Sequence, residues 1–450
     1  MLSEFKVSNF LSFDEEQSFS MEAGKVRSNI ERVYSKDNFK LLKFMAIYGA
    51  NASGKSNLVN AFDFAQDVIV RGIPTSCANY YCRLHKDNKN KVSHFEFTIK
   101  IGNEKYVYGF EMLLNSASFV TEYLKKVRNS TAYKTVFQRN ILTGEFEVDS
   151  YFKDSSMNER LKIYAEDVKN DDSILFLRLM NQNKDSLYSG EAEVKIYKYI
   201  YEWFKYKLSV NSPDRPITSY SYLMNDESVH EIGKLLSYFG TGVSEVVIAK
   251  VLPEKIAANV PQDVLQEITD SLYEQKKHYE GNNLESAPAI MLRSFKDNSM
   301  FIVDLEGVDV RYRTLEVKHE NTDAVFSLSE ESDGTIRLLD LIEVLLCRDN
   351  ERIYIIDEIN RRFHPLLTYK FIEEYLKKAP SRNIQLIVTT HESNLMDFDL
   401  LRKDEIGFIN KDEDGKTTFF SLDAFNERFD KKVCKAYLEG KYNAIPIFKF

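Results

Sequence analysis

Cysteine is scarce in this 450-residue sequence: Cys77, Cys82, Cys347 and Cys434 are too few and too scattered for a disulfide framework. No second cysteine pair or nearby histidine pair completes Cys77 and Cys82 into a four-ligand metal knuckle. Long apolar runs are missing as well. None reaches the ~20 residues of a membrane span, and Met1 leads into a strand-like segment rather than a secretory leader. A cytoplasmic protein with free thiols and no membrane partner is the expectation. Glycine and proline are modest, at 17 and 9 beside a 43% apolar fraction, which excludes the fibrous and disordered classes. No heptad persists over several turns, so no long coiled-coil arm is expected. Positive charge is not in excess either. The net charge of −9 argues against a surface given over to non-specific phosphate binding. A sum hides local grooves, however, and nucleic acid stays open as a partner.

What is present centres on Gly49-Ala50-Asn51-Ala52-Ser53-Gly54-Lys55-Ser56, between an apolar run at 41–48 and a helical pattern from Asn57 to about Val70. Strand, glycine loop and helix form the context in which G-x-x-x-x-G-K-S cradles phosphate rather than making an ordinary turn. Loop N–H groups and the positive helix end face the phosphates. Lys55 reaches the β- and γ-phosphates and the Ser56 hydroxyl ligates magnesium, so ATP and Mg2+ are the expected ligands. The nucleotide-binding set is Gly49, Asn51, Ala52, Ser53, Gly54, Lys55, Ser56 and Asn57.

Around this loop the pattern is mixed. Residues 4–13 alternate as a strand, and 94–101 and 104–114 read as a hairpin turning at Gly102-Asn103. Residues 119–127 and 132–138 continue a β-rich lobe that ends near Phe152. From about Met157 to Glu280 helical periods take over. The aromatic stretch at 194–208 reads as a helix buried in its own lobe before it reads as a binding platform. Helices are expected at 228–239 and 261–278, and strands return at 294–305 and 310–317.

Residues 352–356 form a second apolar run, ending in Asp357 and Glu358. An apolar strand of this kind suits a parallel sheet, where ligand sites lie at the carboxyl ends. There Asp357 can hold magnesium, and Glu358 can polarise the attacking water. A third run, 384–390, ends at His391, poised to sense the γ-phosphate. Between them Ser332-Asp333-Gly334 opens an apolar helix, as a helix cap or an anion site. By the plainer reading, Asp404, Glu405, Asp412, Glu413 and Asp414 are solvated loop charges.

Taken in order, phosphate loop, Ser-x-Gly, Ile-Ile-Asp-Glu and Thr-Thr-His resemble the head of an ABC-type ATPase. Ser8-Asn9-Phe10-Leu11-Ser12-Phe13, the 357–366 segment Asp-Glu-Ile-Asn through Phe-His-Pro-Leu, and the tail at 437–446 are similar to the stand-alone AAA-family ATPases of anti-phage and abortive-infection loci. The resemblance implies an α/β fold: an ABC-type P-loop ATPase head with a β-rich lobe and an inserted helical subdomain. The expected segments are 1–152 (head, first part), 153–320 (mainly helical insertion with returning strands) and 321–450 (head, second part). It also implies catalytic Glu358 and His391, metal ligands Ser56 and Asp357, and a cap from Ser332 and Gly334, with Arg337 nearby, over the ATP of a second subunit.

Two positions depart from the family pattern: Arg362 where a small residue is expected, and Asn443 for a glycine in the tail. Gln138 is a candidate for the magnesium-sensing glutamine by position alone. A chain with one phosphate loop and one cap cannot complete its own site, so the implied partner is a second copy in a homodimer, with higher oligomers open. The leading reading is a sensor or switch subunit of a bacterial anti-phage defence system, controlling a separately encoded effector, nuclease or toxin. The alternatives are an SMC-like DNA-repair clamp and a fused effector. Against the clamp stand the missing coiled coil and the acidic balance; against fusion, the lack of a nuclease constellation in 157–317.

Overall fold

In the computed structural model the strand Phe44–Tyr48 is buried at every position, as a strand covered on both faces must be. It runs parallel to Gln385–Thr389 on one side and to Ile406–Lys411 on the other. Gln385–Thr389 pairs in parallel with Ile353–Ile356, and that strand with Leu208–Asn211. Thr417–Ser421, antiparallel to Ile406–Lys411, completes a six-stranded sheet. The carboxyl ends of the strands that precede Gly49, Asp357 and Thr390 therefore share one edge. The structure describes the chain except residues 37, 130–131, 149–151, 153–154, 185–186, 189–192, 214–225, 283–288, 295–298, 350, 426–432 and 443–450.

Contacts divide the chain into two units. The first comprises Met1–Pro213, Asp349–Arg361 and Ile372–Phe450, the second Asp214–Arg348 and Arg362–Phe371. This division does not follow the three segments expected from sequence, and the first unit shows why. Beside its parallel sheet lies a seven-stranded antiparallel sheet running from Glu145–Glu147 through Tyr133–Asn140, Ser118–Val127, Glu104–Leu113, Ser93–Ile101 and Leu2–Ser8 to Gln17–Ser20. The hairpin at Gly102 forms as expected, with that glycine at φ 57°. The helix Lys55–Val70 buries Phe62 against Phe5 and Phe97 of this sheet, at ring separations of 4.0 and 5.9 Å.

The helices Ser155–Val168, Phe176–Met180 and Lys195–Glu202 belong to the same core. A fully buried ion pair ties them to the lobe. Arg139 donates to Glu122 at 3.1 Å and to the Val168 carbonyl at 3.0 Å, while Glu122 accepts the N–H groups of Phe176 and Leu177. Burying two charges is costly, and these extra bonds offset the desolvation. The aromatic stretch is core, as its plainer reading held: Ile196, Tyr197, Ile200, Trp203 and Phe204 are buried. Its lobe, however, is the first unit, and it leads into Leu208–Asn211, a strand the sequence reading missed.

In the second unit the helices Asp226–Tyr238 and Gln262–Asn282 lie close to their expected places. They accompany a five-stranded antiparallel sheet: Val243–Lys250, Asp309–His319, Met300–Glu306 and Ala289–Arg293, with Val325–Ser327 added to Asp309–His319. Val243–Lys250 was not anticipated. Its burial follows no clean alternation, so the period-two signal is weak. Among the described residues, no helix is long and apolar enough to cross a membrane.

Candidate nucleotide site

Glycine is required at both ends of the phosphate loop. A side chain on Gly49 would begin 2.4 Å from the Ile409 carbonyl oxygen, and Gly54 takes φ 112° with Thr417 Oγ1 2.5 Å from where its Cβ would sit. Lys55 is buried, and its Nζ donates to the carbonyls of Gly49 and Ala50, each at 2.9 Å. Ser56 is exposed at the start of the helix. Behind the loop, three segments far apart in sequence meet at one hydroxyl. Ser12 Oγ accepts from Thr417 Oγ1 at 2.7 Å and from Asn57 Nδ2 at 2.6 Å, and Thr417 Oγ1 also lies 2.9 Å from the Ser53 carbonyl. Ser12 and Thr417 escaped the sequence reading; the only hint was Ser12's place in the opening motif.

The acidic strand is locked to the histidine strand by side chains. Thr389 Oγ1 donates to Asp357 Oδ1 at 2.5 Å and accepts the Glu358 N–H at 2.8 Å. The Asp357 N–H reaches the Asn211 carbonyl at 3.0 Å. One step further, Asn360 Oδ1 accepts from Thr390 Oγ1 at 3.0 Å and from the His391 N–H at 3.3 Å. Thr-Thr-His and Asp-Glu-Ile-Asn are thus two halves of one clamp. Glu358 adopts φ 49°, a left-handed conformation costly for a residue other than glycine. The clamp holds it there.

These groups also feel one another. Burial pushes the Lys55 ammonium down to about 8, while Asp357 and Glu358 pull it back up. His391 is held below its usual range by partial burial and then by Lys55, with Asp357 acting the other way. The structure therefore brings together Lys55, Asp357, Glu358 and His391. Among the described residues no cluster of three His, Cys, Asp or Glu forms a metal cage. Asp357 and the Ser56 hydroxyl are a small set of hard oxygens, which suits magnesium completed by phosphate and water.

In the second unit Ser332 is the N-cap of the helix Asp333–Leu341, its Oγ accepting the Thr335 N–H at 3.1 Å. Ser332 is exposed. Arg337, on the same helix, is buried. Gln138 lies within Tyr133–Asn140, with Glu147 and Tyr123 as cross-strand neighbours rather than any phosphate-loop residue. Asp404 and Glu405 are not solvated: both are buried, and Arg402 grips Asp404 through two bonds of 2.9 and 2.6 Å. Asp412, Glu413 and Asp414 are exposed.

In the tail, Gly440 at φ 83° ends the helix Val433–Leu438, with Lys441 N–H reaching the Ala436 carbonyl at 3.0 Å. That turn brings Tyr442 onto Phe408, and Tyr437 packs on Phe408 and on Tyr48, the residue before the phosphate loop. Asn443 and the rest of the motif, to Pro446, lie outside the described residues.

A family model described as "AAA domain, putative AbiEii toxin, Type IV TA system" matches residues 44–156 and 254–397. Among solved structures the chain is similar to an SMC head bound to the C-winged helix domain of ScpA, at 13% identity over 93% of this chain and 97% of that one, with a TM-score of 0.44. It is also similar to the SMC head domain from Thermotoga maritima, at 12% identity, 93% and 98% coverage and a TM-score of 0.35. The Pyrococcus furiosus SMC head with an extended coiled coil, bound to the C-terminal domain of ScpA, gives 14% identity, 98% and 99% coverage and 0.39. No curated protein matches.

Proposed function

The chain belongs to the AAA-domain family of the AbiEii type, and from that premise we propose that it hydrolyses ATP between two copies of itself, as the switch subunit of a bacterial anti-phage system. The observation that carries the chemistry is the Thr389 bridge, which fixes Asp357 and Glu358 within electrostatic reach of Lys55. Lys55 exchanges the loop carbonyls for phosphate oxygens. Ser56 and Asp357 would hold a magnesium ion, which supplies positive charge to those oxygens when bound. Glu358 orients the attacking water and accepts its proton. His391 contacts the γ-phosphate. Ser332 and Gly334 come from the second copy, with exposed Ser332 and the N-terminus of its helix offering N–H groups to an anion. The family description, with its toxin–antitoxin context, supports a separately encoded effector, nuclease or toxin, whose activity follows the ATP-bound dimer. The working place of such a switch is the cytoplasm.

A mixing experiment tests the shared site. Lys55→Ala has a dead loop and an intact cap; Ser332→Arg has the reverse. Each is inactive alone. In a heterodimer one site pairs both lesions and the other pairs an intact loop with an intact cap, so phosphate release returns on mixing. A mixture that stays dead, with heterodimers confirmed by tagged pull-down, refutes the composite site.

A further inference from the structure

Beside the Ser332 element the second unit carries a cavity of about 640 Å³, lined by Ser332, Gly334, Thr335, Arg362 and His364 and walled on one side by Phe239. Its polar lining is of the kind that receives an anion: hydroxyls of Thr241, Ser332 and Thr335, a helix N-terminus, Arg362 and Lys370. The chain holds Arg362 there against its own preference. Arg362 takes φ 66°, a conformation glycine adopts freely and arginine rarely does. Its carbonyl oxygen lies 3.2 Å from where a Gly334 side chain would begin, so the glycine of Ser-x-Gly is also what lets this backbone approach. The Ser332 element and Arg362 are one packed feature, within one unit.

The guanidinium is 41% exposed and loosely held, with Nη1 3.6 Å from Asp333 Oδ1. Asp333 is itself 65% exposed, so it parks the arginine without burying it. The other basic groups nearby are less free: Lys370, which also lines the cavity, has a partner of its own. Arg337 is buried, and His364 Nδ1 accepts the Leu366 N–H at 3.2 Å at the start of its helix.

We infer that Arg362 is the cation this face brings to the terminal phosphate of ATP held by a second copy of the chain. The inference takes the shared site proposed above as its premise. It adds a charge which that site lacks: Ser332 and Gly334 supply only neutral donors, whereas a planar guanidinium matches phosphoryl oxygens with two parallel bonds. On meeting phosphate, Arg362 leaves Asp333 and neutralises the charge that develops as the γ-phosphoryl transfers.

The test uses Arg362→Gly and Arg362→Lys in the full chain. Glycine suits φ 66°, so Arg362→Gly should melt no lower than wild type. We expect its turnover to fall by about 10³-fold, the scale of an arginine finger, with ATP affinity nearly unchanged, because the binding loop is intact. Arg362→Lys, which keeps charge without the fork, should recover part of the loss. Mixing Arg362→Gly with Lys55→Ala should restore phosphate release, since the Lys55→Ala chain lends its arginine to the other's intact loop. Wild-type turnover in Arg362→Gly overturns the inference. So does a dead Arg362→Gly mixture beside a live Ser332→Arg mixture, which leaves the shared site standing. If both mixtures are dead, the shared site fails and Arg362's role falls with it.

Discussion

The phosphate loop and the Ser332 element serve the same anion chemistry and are built in opposite ways. The loop is backed by Ser12, Asn57 and Thr417 from three distant segments, and its lysine is buried. The Ser332 element stands exposed, and the arginine beside it is tethered loosely. A braced site is organised before its ligand arrives, so its donors need no ordering on binding. An exposed one gains its order from whatever covers it. The contrast separates a site that binds from a site that completes.

The largest expected effect breaks the braced side. Lys55→Ala should abolish both ATP binding and phosphate release, measured by nucleotide fluorescence and a phosphate assay. Retained turnover would remove the phosphate-loop assignment. Next comes Glu358→Gln, which keeps shape but loses the base. Turnover should drop by ~10²-fold or more while ATP stays bound, and the variant should accumulate as a dimer by size exclusion. Wild-type hydrolysis there would hand water activation to another residue.

Thr417→Val sharpens the comparison. It takes the hydroxyl partner from the Ser53 carbonyl and leaves Ser12 only Asn57, at ~1–3 kcal/mol, so ATP affinity should weaken by about tenfold or more. Ser332→Ala removes an N-cap at ~1 kcal/mol of stability and should leave affinity alone. If both variants weaken binding equally, the distinction between the two sites is wrong.

The smallest effect lies away from either site. Burial raises the Glu405 carboxyl to about 7 from an ordinary 4.5. Between those values the folded chain binds the proton that the unfolded chain releases. This group's contribution is complete below about pH 4.5 and is lost as pH climbs through 7, a span of up to ~3 kcal/mol. Melting curves of Glu405→Gln and wild type should therefore diverge as pH rises toward 7, with the variant gaining. Parallel curves would show that Glu405 titrates normally.

Short-range patterns carried most of what was legible in advance. Gly49 to Ser56 announces itself because its chemistry is contiguous, and 353–356 and 385–389 do so because strands covered on both faces must be apolar throughout. What stayed hidden was assembled across distance. Nothing near Thr417 says that it will meet Ser12, 405 residues away. Leu208–Asn211 sits at the end of an aromatic helix whose periodicity masks it. Glu405 reads as a loop charge until the surrounding core is known. The boundary at Pro213 was invisible for a related reason: the buried Glu122–Arg139 pair recruits helices whose own sequence names no host.

Thr389 makes two motifs into one inheritance. Its single hydroxyl serves Asp357 and the backbone of Glu358 at once, so the two strands cannot drift independently. A lineage that loses the threonine must replace both bonds together, or relax the left-handed turn at Glu358 by another route. Among relatives the residues at 357, 358 and 389 should therefore vary as a set, and a chimaera that takes its acidic strand and its histidine strand from distant cousins should fold yet hydrolyse poorly.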